Sequence, residues 1–183
     1  MENFDTFMES SSAYFAAVAQ VGGAMLGLVF VAFTFNPKAL GTRERNLAQQ
    51  TFADLLMVLV VALMLLLPNV SIGETAGLMI AAAVFGLVQM ARNLRRLLRS
   101  GADAAWNRTS VRRHYGLSLL GHLGVLVAGV LLLWQGGAGA TMRDLLLLGP
   151  MALLVSGCRS AWLLVVSNAG DRGGPATPDG GTP

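Results

Sequence analysis

Four polar side chains set inside apolar runs are the residues of this chain equipped for chemistry: Gln20, Asp54, His122 and Arg159. Asp54 and His122 can take up and release protons, Arg159 is a permanent cation, and Gln20 offers one donor group and one acceptor. At membrane depth such groups are costly unless paired or hydrated, so they mark proton relays, pores or structural ties. Their numbers argue against catalysis. Enzymes that work at that depth use paired carboxylates, a serine with its base or several metal ligands, whereas here an Asp, a His and an Arg each stand singly. The second histidine, His114, falls in a basic segment, and the single Cys158 sits among apolar neighbours that favour an inert thiol. The expectation is a non-enzyme with no catalytic residue, no metal site and no cofactor.

The elements that carry these residues follow from composition. Of 183 residues, 54% are hydrophobic and 13% charged, and the mean hydropathy is +0.60, outside the range of soluble domains. Five apolar stretches are expected to cross a membrane, at residues 13–35, 51–67, 75–91, 115–134 and 145–166, each near the roughly 20 residues that cover about 30 Å of hydrocarbon. Stretches such as 55–67 and 125–133 show no polar face, which separates them from soluble amphipathic helices. The second and third are the shortest and leave open a re-entrant pair. The fold class is therefore an all-α polytopic transmembrane bundle of about five spans. Residues 1–12 contain Glu2, Asp5 and Glu9 and no basic residue, unlike a secretory signal peptide, so the first span is expected to be retained. Residues 167–183 are rich in Gly, Pro, Asp and Thr and are expected to form a disordered tail.

Basic residues orient the bundle, because Lys and Arg are retained on the cytoplasmic side. Lys38, Arg43 and Arg45 follow the first span, Arg92, Arg95, Arg96, Arg99, Arg108, Arg112 and Arg113 crowd the loop 92–114, and Arg172 lies in the tail, against Arg143 alone on the other side. An acidic N-terminus outside and a C-terminus inside satisfy every loop. Tyr14 and Trp134 then fall near the outer interface, and Phe35, Phe52, Tyr115 and Trp162 near the inner one. Since Lys38 is the only lysine among thirteen basic residues, the composition points to a GC-rich bacterial genome, and hence to a multi-pass protein of the bacterial inner membrane. Arg92, Arg95, Arg96 and Arg99 share one face of a helix continuing out of the third span, suited to anionic lipid headgroups. Trp106 is the one aromatic residue beside this charge, so nucleic acid is not an expected partner.

In the first span Ala19, Gly23 and Gly27 recur every fourth residue, a pattern that lets helix backbones approach closely. Gly121, Gly124 and Gly129 in the fourth span and Gly77, Ala81 and Gly86 in the third invite the same use, and Gly149-Pro150 should loosen the start of the fifth. At about 1.5 Å per residue, Asp54 lies roughly 5 Å from the cytoplasmic boundary and Arg159 and His122 roughly 10 Å. An Asp54–Arg159 ion pair is thus expected as a clasp between the second and fifth spans, with His122 as a proton-sensitive third member. Gln20 is expected at a packing seam or, in an oligomer, lining a pore. These features suit an accessory or scaffold protein acting through helix packing and its basic loop. The alternative is a subunit of a small oligomeric ion channel or carrier, its partners other membrane proteins or further copies of itself. The direction in which the polar groups point decides between them.

Overall fold

A backbone inside hydrocarbon must satisfy its own hydrogen bonds, and Leu-, Ala- and Val-rich runs do so as helices. The computed structural model describes residues 4–35, 42–67, 70–99, 108–135 and 139–170. It contains α1 (Phe4–Phe35), α2 (Thr42–Leu66), α3 (Ile72–Arg99), α4 (Arg108–Gln135) and α5 (Ala140–Gly170). All five are long and apolar enough to cross a membrane, with candidate spans Thr6–Thr34, Ala48–Leu66, Ile72–Arg96, Tyr115–Trp134 and Ala140–Trp162. The shortest of these has 19 residues, about 28 Å of helix, so α2 and α3 are each long enough to reach across alone.

Every helix outruns its apolar core. α1 begins at Phe4, so the acidic leading segment is largely helical. It is also anchored: Phe7 is buried, meets Phe15 edge to face at 6.5 Å, and lies 5.3 Å under the Arg143 guanidinium at the start of α5. α3 runs on through its basic segment to Arg99, as the spacing of its arginines predicts. α5 passes through Gly149-Pro150 as one helix and continues to Gly170, so the residues expected to open the tail extend it instead. Residues 171–183, with Arg172, and residues 36–41, with Lys38, lie outside the described part of the chain.

The turn into α3 carries a signal that hydropathy does not register. Ser71 and Glu74 form a reciprocal cap: the Glu74 amide donates to Ser71 Oγ at 3.2 Å, and the Ser71 amide donates to Glu74 Oε2 at 3.0 Å. Two amide groups that the helix start leaves unpaired are thereby satisfied.

α2 touches α1, α3 and α5, and α5 touches α4, α2 and α1, so these two helices form the centre of the bundle. Leu55, Val58, Met79, Leu132, Leu146 and Leu153 fill the space between the helices. Outward, Leu28, Phe30, Phe85, Leu120, Leu133 and Leu148 are exposed, an apolar surface that suits acyl chains rather than water. Trp134 and Trp162 stand exposed at the ends of their spans, where an amphipathic ring prefers to sit. Tyr14 departs from that pattern: its hydroxyl donates to the Leu147 carbonyl of α5 at 2.6 Å, tying α1 to α5 near Pro150.

Candidate functional site

Asp54 is the hub of a polar cluster at the crossing of α2, α3, α4 and α5. Gln50, one helical turn earlier on the same face of α2, donates from Nε2 to Asp54 Oδ1 at 2.9 Å. From α4, Ser118 Oγ donates to the same oxygen at 2.8 Å and lies 3.2 Å from Gln50 Nε2. From α5, Ser156 Oγ donates to Oδ2 at 3.1 Å. From α3, Asn93 Nδ2 donates to Gln50 Oε1 at 3.3 Å. These five residues are at most 6% exposed. Donors from α2, α4 and α5 reach the carboxyl group directly, and α3 joins them through the bond from Asn93 to Gln50.

The clasp expected between the second and fifth spans is therefore made, but its α5 member is the Ser156 hydroxyl rather than the Arg159 guanidinium. A hydroxyl satisfies the acceptor without bringing a second full charge into the bundle, and so avoids the larger desolvation cost of a buried ion pair. Arg159 lies three residues further along α5 and is half-buried.

His122 borders the cluster through Ser118. It is fully buried on α4, one turn after Ser118, whose hydroxyl donates to Asp54. Its Nδ1 lies 2.8 Å from the Ser118 carbonyl. A carbonyl only accepts, so Nδ1 donates in this contact, which leaves Nε2 on the far side of the ring. Among the described residues, Nε2 is the buried side-chain polar atom that lacks a hydrogen-bond partner. It faces Gly86 of α3 so closely that a methyl group there would overlap the imidazole. Gly86 thus makes room for the ring.

A similar accommodation lets Ser156 reach Asp54. Gly157, its neighbour on α5, faces Leu55, the neighbour of Asp54 on α2; a β-carbon at Gly157 would lie 2.7 Å from Leu55 Cδ2. The expected packing face on α1 is used only in part. Ala19 is buried and Gly23 borders Leu59, but Gly27 meets nothing, and Gly22 instead packs on Val58. Gly121, Gly124 and Gly129 of α4 all face neighbouring helices, whereas Gly77 meets nothing and Ala81 is exposed. Gln20 points away from the bundle and is exposed on α1.

At its basic end the bundle presents Arg45, Arg92, Arg95 and Arg96, all exposed, while the Arg99 side chain lies outside the described residues. Asn93, on the opposite face of α3, turns inward to Gln50. Among the described residues no group of three His, Cys, Asp or Glu side chains is placed to hold a metal ion. The fold and this cluster define a class, a five-helix bundle built to cross a membrane with a polar centre. Compared with models of known families, with curated proteins and with solved structures, the chain matches none.

Proposed function

We propose that this chain is a non-enzymatic accessory or scaffold protein of the bacterial inner membrane, with its N-terminus outside and its C-terminus inside. It works through helix contacts and through a basic cytoplasmic face that meets anionic headgroups. The observation that carries this reading is the direction of the polar groups. Asp54 and His122 turn into a single bundle, where Gln50, Ser118 and Ser156 donate to the carboxyl group and Asn93 donates to Gln50. Polar side chains spent on one another in this way are ties between helices, and a water-filled path would need them turned toward a common lumen. The placement of charge supports the orientation: Arg92, Arg95 and Arg96 are exposed at the end of α3, while Arg143 at the opposite end is drawn onto Phe7.

A second reading, a subunit of an oligomeric channel or carrier, is favoured by one observation. Gln20 alone among the four intramembrane candidates points outward, where a second copy could meet it. Ion and proton flux into liposomes separates the two. Purified protein, Gln20→Leu and His122→Leu are all expected to leak no more than protein-free vesicles. Flux in the unmodified protein that Gln20→Leu abolishes would make the channel reading primary.

A further inference from the structure

Between α2 and α3 runs a groove of about 970 Å³, at the upper end of the roughly 300–1,000 Å³ typical of small-molecule sites. Its two ends differ in chemistry. At the basic end it is lined by Arg45 and Gln49 of α2 and by Asn93 and Arg96 of α3. Beyond these and Gln89 of α3 the walls are apolar, from Phe52 through Leu56 to Met64 on α2, with Phe85 and Leu78 opposite. From Phe52 to Met64 is about 18 Å of helix, slightly more than half of a hydrocarbon core about 30 Å thick. The apolar part thus matches the depth of one leaflet. Arg96 is the last residue of its candidate span and Arg45 lies three residues before the start of its own, which would set both guanidinium groups near headgroup level.

We propose that this groove binds one anionic phospholipid from the adjoining leaflet, its phosphate between Arg45 and Arg96 and an acyl chain lying along α2 and α3. Charge complementarity selects the occupant. Two arginines able to fork onto phosphate oxygens crown an apolar slot, and Gln49 and Asn93 offer further donors at the same level. The floor of the slot adds a second feature. Gly86 lines it, and behind Gly86 lies the unpartnered Nε2 of the buried His122. Asn93 belongs both to the groove and to the donor path that ends at Asp54, so the lipid abuts the cluster that ties the four helices together. The inference rests on the proposed contact between the basic face and anionic headgroups, and narrows it to one lipid at one place.

Native mass spectrometry of the full chain, with phosphatidylglycerol or phosphatidylcholine added to the detergent, tests the proposal. The unmodified protein is expected to retain one phosphatidylglycerol in preference to phosphatidylcholine. Arg45→Gln with Arg96→Gln should weaken that binding about thirtyfold, on the basis of two headgroup-level cations. Arg92→Gln with Arg95→Gln, which removes as much charge from outside the groove, should leave it within about threefold. Ala81→Trp, at an exposed position on the groove wall, should expel the lipid with all the arginines in place. Preference carried by Arg92 and Arg95, or indifferent to Ala81→Trp, would overturn the groove and leave a general basic surface. Equal retention of both lipids by the unmodified protein would overturn the headgroup contact itself.

Discussion

Asp54 earns its place at membrane depth by collecting donors, and the energetics of that arrangement are modest per bond. Interhelical hydrogen bonds in lipid average about 0.6 kcal/mol, because an unfolded chain within the membrane also finds partners. Ser156→Ala should therefore lower stability by about that amount. Asp54→Ala strands the Gln50, Ser118 and Ser156 donors together and should cost about 2 kcal/mol. Thermal unfolding in detergent orders the two variants; equal, negligible effects would show that the cluster does not hold the helices together. Two of the six residues at this site were legible in the amino-acid sequence. Asp54 and His122 announce themselves as ionisable groups in apolar runs, whereas Ser118 and Ser156 are residue types that any transmembrane helix tolerates. Gln50 and Asn93 were hidden for another reason. The apolar runs 51–67 and 75–91 stop just short of them, whereas the spans Ala48–Leu66 and Ile72–Arg96 take in both, and the continuing helices bring each amide into the bundle.

At the scale of the element, small residues decide which helices approach, and a repeat along one helix does not say which of its faces is used. On α1 the spacing of Ala19, Gly23 and Gly27 describes a seam, but the helix packs on α2 through a face rotated toward Gly22. A β-carbon at Gly22 would sit 3.3 Å from Val58 Cγ1 and 3.9 Å from the Leu55 carbonyl. Gly22→Val should thus overpack the α1–α2 contact and cost about 1–3 kcal/mol. Gly27→Val, at a position that meets nothing, should change stability by no more than about 0.5 kcal/mol. Unfolding midpoints of the two variants check the assignment, and the reverse order would mean that α1 packs through its other face. The cap at Ser71 and Glu74 was readable from the Ser-x-x-Glu spacing before an apolar run, a local signal that needs no tertiary information.

For the whole molecule the distribution of arginine predicts the sidedness, and cysteine labelling can read it. In a Cys158→Ala background, a cysteine at exposed Glu9 should react with a membrane-impermeant maleimide in intact cells. A cysteine at exposed Arg92 should react only after the cells are permeabilised. The opposite pattern would invert the bundle, place the Arg45–Arg96 groove in the outer leaflet, and remove the argument that it faces cytoplasmic lipid.

The number of helices, their apolar lengths and the basic segment at the end of α3 were determined by the sequence alone, because transfer into hydrocarbon depends on local composition and on the need of each backbone to bond within itself. Which groups meet was decided only in the folded bundle. Depth along each helix brought Asp54, His122 and Arg159 within range of one another, but rotation about each axis chose Ser156 over Arg159 as the donor to Asp54, and turned Gln20 outward. Rotation is settled by packing between helices, at Gly86 against His122 and Gly157 against Leu55, and no single helix contains that information.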